Sequence, residues 1–191
     1  MDKMSMQQSG VCNVVRGRSA VEQITPFGKF VIEHWRNGEK IGQYDFSNAI
    51  TNEGKNKLLN VMFVGTTAIT SWYIGFINGS GSPILAATDT YGHINTINGW
   101  VEFNAYAETV RQFWVPVAST AQSTTNASPV VININSAGSV FGIFLVGGGT
   151  TPAVKNDAAG GGTLWAAAAF ASGTVTVGNG DQLKVTYTVG A

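Results

Sequence analysis

Proton-transfer chemistry near neutral pH starts with histidine, and this sequence of 191 residues has two, His34 and His93. His93 stands four residues after Asp89 and nine before Glu102 in a stretch without periodicity, the base-and-carboxylate pairing that acid–base catalysis uses. It lacks a nucleophile: no Gly-x-Ser-x-Gly elbow occurs, and Cys12, the only cysteine, lies far upstream. His34 falls inside a predicted hairpin, which suits a structural or solvated role. A single cysteine excludes an intrachain disulfide and any multi-cysteine metal site, and neither His-Glu-x-x-His nor an Asp-x-Asp-x-Asp-Gly loop is present. The glycines at 147–149 and 160–162 fit neither dinucleotide nor P-loop spacing and read as loop hinges. Asp157 and Asp181 stand alone in sequence and read as solvated turn carboxylates. No carboxylate pair has a convincing spacing for glycoside hydrolysis. The expectation is a protein that is not an enzyme, with no catalytic residue, no cofactor and no metal site.

Five tryptophans deserve a separate reading, because they suit a sugar-stacking platform as well as a core. Trp72 and Trp114 sit in apolar strand runs and are expected in the core. Trp35, Trp100 and Trp165 flank turns or polar segments, where a tryptophan serves equally as an interface anchor.

The elements that must position these residues are almost all strands. Phe27 to Arg36 and Ile41 to Phe46 alternate apolar with polar positions around Asn37-Gly38, the strongest short signal for a hairpin with a type I′ turn. One helix follows. Thr51 or Asn52 caps it, Glu53 suits its N-terminal dipole, Leu58, Leu59, Met62 and Phe63 form one apolar stripe, and Gly65 ends it. Ser71 to Ile77 reads as a central strand buried on both faces, with Gly75 where a ring or backbone approaches closely. Further strands are expected at Val110–Val115, Val130–Asn135, Ser139–Val146, Leu164–Phe170, Thr174–Val177 and Gln182–Val189. Pro116 marks a strand end or edge, and Ala118–Ser128 reads as a loop. Gly178-Asn179-Gly180-Asp181 is a turn. Eight or nine strands, one short helix and no βαβ alternation give an all-β fold, a jelly-roll-like β-sandwich over residues 27–191. Residues 1–26 form an extended N-terminal arm, with Val11, Val14 and Val15 as anchors on a neighbouring subunit.

Hydrophobic types make up 44% of the chain, ample for a core, whereas charged types make up only 12%, about half of the roughly 25% usual in soluble domains. The signs balance to zero, which excludes the field of a nucleic-acid-binding or polybasic membrane-surface protein. Residues 1–60 hold 14 of the 22 charges, leaving 8 for the other 131 residues. A body so poor in charge is weakly protected against self-association. The longest apolar run, Leu164–Ala171, has eight residues, far short of the roughly 20 that a membrane-spanning helix needs. Met1-Asp2-Lys3 leads into polar Gln7-Gln8-Ser9 without an apolar core, so no signal peptide is visible and folding in a reducing cytoplasm is expected.

Several blocks together resemble a family of tailed-bacteriophage virion proteins. They are Val31–Lys40, Asn48–Lys55 entering Leu58-Leu59-Asn60, Thr70–Ile77, Asp89-Thr90 with Gly99-Trp100-Val101-Glu102 and Tyr106, and Gly180–Tyr187. The resemblance runs from about residue 28 to 189, leaves out the loop at 147–162, and is similar to the cement, or decoration, proteins that clamp a capsid from outside as jelly-roll trimers. It implies a structural virion protein made in the host cytoplasm and located on the capsid surface. Its implied partners are the major capsid protein and itself as a homotrimer, with no direct nucleic acid and no membrane. The alternative is a tail or fibre receptor-binding domain that recognises a host surface glycan through exposed tryptophan.

Overall fold

A computed structural model describes residues 25–191. The expected arm, save Thr25 and Pro26, lies outside the described residues.

The first sheet grows from the Asn37-Gly38 hairpin. β1 (Phe27–Arg36) and β2 (Glu39–Ala49) pair antiparallel, and the turn residues take φ of 52° and 82°, as a type I′ turn demands. The other edge of β1 pairs with the last strand, β11 (Gln182–Gly190), from Phe27↔Gly190 to Trp35↔Gln182. Two short strands share the far edge of β11: β6 (Ser123–Thr125) and β7 (Val130–Asn133). The second sheet is built on β3 (Trp72–Asn78) and β8 (Gly138–Gly147), which pair from Trp72↔Gly147 to Asn78↔Val140. β9 (Thr163–Ala169) and β10 (Val175–Val177) share the outer edge of β8, and β4 (Glu102–Phe103) and β5 (Gln112–Trp114) share that of β3.

The two sheets enclose a core in which Phe30, Ile32, Val185 and Tyr187 of the first meet Ile74, Phe76, Ile143 and Leu145 of the second. This is the expected all-β sandwich. The described residues hold eleven strands rather than eight or nine, because the irregular stretches contribute short edge pieces. One is β6, in a segment whose Ser and Thr composition reads as loop. Its backbone pairs with the end of β11, and the Thr125 hydroxyl bonds to the Tyr187 carbonyl oxygen.

A second core lies on the other face of the second sheet. There Ile77, Phe144, Val146 and Leu164 pack against Tyr91, Ile94 and Trp100 from the long irregular segment. Burial on both faces explains the continuous apolar run of β3. Gly75 lies beside Phe144, and a Cβ there would overlap the phenyl ring, the close approach its position in the strand predicts.

The helix α1 (Asn52–Leu59) starts as expected: the Thr51 hydroxyl accepts from Gly54 N–H at 3.0 Å and donates to the Leu164 carbonyl oxygen. It continues as a π-helical turn, Asn60–Val64, and ends at Gly65 with φ 74°. The apolar stripe of this helix is exposed. Leu58, Leu59, Met62 and Phe63 face solvent instead of filling the sandwich, because Ile50 and Gly54 take the contact with β9.

Gly75→Ala should lower stability by about 1–3 kcal/mol through overpacking, measured by urea unfolding. An unchanged midpoint would mean that the Phe144 ring moves freely, against the packing described.

Candidate functional site

The side chains singled out for chemistry are used to build the fold. His93 Nδ1 lies 3.1 Å from Asp89 Oδ1, and a second Asp89 oxygen accepts from Ala86 N–H at 2.7 Å. Glu102 does not join them. It is fully buried and bonded to Arg111 by two contacts, Nε to Oε1 at 2.8 Å and Nη2 to Oε2 at 2.7 Å. Burial alone would lower the pKa of the guanidinium, but the bonds from Glu102 hold it above its ordinary value.

Arg111 is the hub of the second core. Its remaining N–H groups donate to the carbonyl oxygens of Pro152 and Asp157 at 3.0 and 2.9 Å, while Glu102 Oε2 accepts from Asn156 N–H at 2.6 Å. The Gly-hinged loop is thereby fastened to the protein beneath it. Lys155 adds a bond to the Tyr106 carbonyl oxygen at 2.9 Å, with its ammonium over the Tyr106 ring.

Both aspartates expected to be solvated are engaged instead. Asp157 accepts from the hydroxyls of Tyr91 at 2.6 Å and Thr151 at 2.8 Å, and from the N–H groups of Ala159 and Gly160. Partial burial opposes its ionised form, yet these donors hold its pKa below the ordinary value. Burial and the bond to Asp157 push the Tyr91 phenol up to about 12. Asp181 is buried and accepts from Arg36 through Nε at 2.7 Å and Nη2 at 2.8 Å, from Gly178 N–H at 2.7 Å, and bonds His34 Nε2 at 2.7 Å. Arg36 foremost holds its carboxyl well below the usual carboxylate range. Asp181 is engaged by tertiary contact, since Arg36 and His34 come from the first strand, whereas Asp157 combines one distant donor, Tyr91, with Thr151, Ala159 and Gly160 of its own loop. His34 is structural, as expected.

The tryptophans separate clearly. Trp114 is in the core as expected, with its ring 5.6 Å from that of Tyr187, and Trp72 packs against the same core. Trp100, expected at a turn or interface, is 1% exposed and packs edge-on against Phe144. Trp35 lies on the outside of β1, its indole N–H on Glu33 and the Lys184 ammonium 3.8 Å from its ring centroid.

Trp72, Trp114 and Trp165 come together at one end of the sandwich, where they line an apolar cavity of about 500 Å³. Leu58 and Val61 form one wall and Ile69 another, and Lys57 Nζ donates to the Thr67 carbonyl oxygen at 2.9 Å beside it. Next to this cavity stands the unburied stripe: Phe63 is 80% exposed, Val64 70% and Met62 67%. Monomers seldom leave so contiguous an apolar ridge in water. A second exposed apolar group, Ile84, Ile97 and Val101, lies at the other end of β3, where Val101 O accepts from Asn78 N–H at 2.8 Å and Asn98 O from Ile84 N–H at 3.0 Å. The seven residues of β3 place the two groups about 20 Å apart. The sequence shows Leu58, Leu59, Met62 and Phe63 as one apolar stripe, and periodicity alone does not say what covers it. The second group comes from irregular segments and leaves no periodic signal.

Among the described residues, no cluster of three or more His, Cys, Asp or Glu side chains is arranged to hold a metal ion. No helix there is long and apolar enough to cross a membrane. Fold and surface together define an all-β sandwich with exposed apolar groups at its two ends. In comparison with known proteins, the chain matches no family model and no curated protein.

Arg111→Ala should destabilise by about 3–5 kcal/mol, because it leaves the Glu102 carboxylate buried without its partner. Amide exchange should rise first in residues 150–160; loss spread evenly over both sheets would contradict the hub role of Arg111. Asp181→Asn has a pH signature. A carboxyl with a folded pKa below its unfolded value of about 3.9 contributes fully above that value and less as pH falls toward the folded one. The stability gap between wild type and Asp181→Asn should therefore be widest above about pH 5 and narrow below pH 4, read from urea midpoints across that range.

Proposed function

We propose that this chain is a structural virion protein that binds the outside of a bacteriophage capsid and stabilises it by bridging neighbouring capsid subunits. The observation that carries this reading is the pair of exposed apolar faces at opposite ends of one rigid sandwich. A protein that bridges needs two contact faces held at a fixed separation, whereas one pocket with convergent polar groups would suffice for a small ligand. The blocks that resemble decoration proteins supply the virion setting, the jelly-roll form of the sandwich and the homotrimer. The partners in this reading are the major capsid protein and further copies of this chain.

Mechanistically, packaged nucleic acid strains an assembled head at the joints between capsomers. A trimer seated on such a joint adds buried area that must be lost before the joint opens, and its several contacts act with the avidity of a linked system. Recognition of a host glycan is the weaker reading. Trp35, on the outside of the first sheet, has the Lys184 ammonium over its ring, where a sugar would have to stack.

Electron microscopy of virions should show density for this chain on the head, and purified chain should bind heads that lack it. Ile84→Asp combined with Ile97→Asp should lower head occupancy at least tenfold with the circular dichroism unchanged. Density on the tail, or a clear hit on a glycan array without head binding, would overturn the reading.

A further inference from the structure

The end of the sandwich that carries the ridge also carries the cavity, and the two have the same chemistry and opposite shapes. Leu58 and Val61 contribute to the wall of the cavity, whereas Met62, Phe63 and Val64 stand out from it into water. Phe63 does not fill the cavity of its own chain, although the space of about 500 Å³ is of the size that accepts drug-like ligands and is ample for a phenyl ring. We infer that the occupant of this cavity is Phe63 of a second copy of this chain, with Met62 and Val64 packed at its rim. The inference assigns an interface to the self-association of the bridging protein proposed above, and it rests on that reading only for its setting.

Charge and area both favour a second copy. The ridge is uncharged, and the one charged residue lining the cavity, Lys57, has its ammonium bonded to Thr67 O at an exposed position, so a ridge that enters the cavity brings no charge against it. The chain carries no net charge to hold copies apart. One contact of this kind also covers both features, since each copy gives a ridge and receives one. That takes the buried surface from the few hundred Å² that monomers commonly leave exposed toward the roughly 800 Å² per partner of stable interfaces. A foreign partner would have to bring both a bulky apolar projection and a matching groove, which this chain already has. Reciprocal exchange closes a two-fold dimer, and onward exchange closes a ring such as a homotrimer.

The test uses the full chain alone, without heads. Sedimentation should show a wild-type oligomer, Phe63→Asp should weaken self-association at least tenfold, and Phe63→Trp should restore it, with unchanged near-ultraviolet circular dichroism in each. In a Cys12→Ser background, a tagged Met62→Cys chain mixed with an Ile69→Cys chain should form the mixed disulfide on oxidation faster than it does with a Phe113→Cys chain. A monomer at every concentration, Phe63→Asp associating as wild type does, or no preference for the Ile69→Cys chain would overturn the inference. Because heads are absent, these failures are separable from those of the capsid reading: a monomer that still binds heads sinks only the interface, and an oligomer that ignores heads sinks only the capsid role.

Discussion

The buried pair of Glu102 and Arg111 decides how the second half of the chain closes. At that depth the loss of hydration offsets most of the attraction between the charges, so the pair adds little net stability over an apolar replacement. Its influence is on which conformations are allowed. Once the carboxylate holds two arms of the guanidinium, the remaining donors point at Pro152 O and Asp157 O, and a remaining acceptor site takes Asn156 N–H. The loop between β8 and β9 has one way to satisfy all three. That closure covers Tyr91 and Phe144, lets the second sheet be buried on both faces, and permits the apolar side chains of β3 and β8 to face away from the sandwich. The guanidinium carbon lies 5.2 Å from the centroid of the Phe144 ring, so the ion pair and the second core are one unit.

The same economy extends to the other charges beyond residue 60. Asp89 bonds His93 and Ala86 N–H, Glu108 accepts from Asn133, Lys155 bonds two carbonyl oxygens, and Asp157 is ringed by donors. Asp181 takes Arg36 and His34, while Lys184 sits over Trp35. All eight therefore have an internal partner, and the surface of the body is poorer in free charge than its composition implies. What keeps most soluble proteins apart is spent here on fastening loops and turns. Apolar side chains at the two ends of β3 then meet little electrostatic opposition to being covered.

Local chemistry was legible in the sequence and tertiary partnership was not. The Asn37-Gly38 turn, the Thr51 cap, the stop at Gly65 and the alternation of β11 depend on residues within a few positions of one another, and each is where its residues predict. Gly75 was readable for the same reason, since a glycine in an apolar strand needs a neighbour to explain it. The failures share a different cause. Asp181 looked isolated because Arg36 and His34 approach it from a strand more than a hundred residues earlier, and Asp157 because Tyr91 does so from another segment. β6 escaped notice since its pairing comes from the backbone of β11 and not from its own side chains. Leu58, Leu59, Met62 and Phe63 were legible as an apolar stripe, but period is silent about which surface covers such a stripe.

Placing apolar faces at the ends of β3 also has a mechanical consequence for the proposed role. A load between two bound partners would run along β3, which is paired to β8 on one edge and to β4 and β5 on the other. Force along a strand is shared by the whole ladder of backbone hydrogen bonds, whereas force across a loop falls on one connection at a time. The loop at 147–162 is outside that line. Its fastening by Arg111 serves to keep the far side of the same sheet dry, so that the strand carrying the load is packed on both faces. A cement protein whose contact faces were joined only by flexible loops would yield before the capsid joint did, while one whose faces are joined by a doubly buried strand makes the joint and the sandwich resist together.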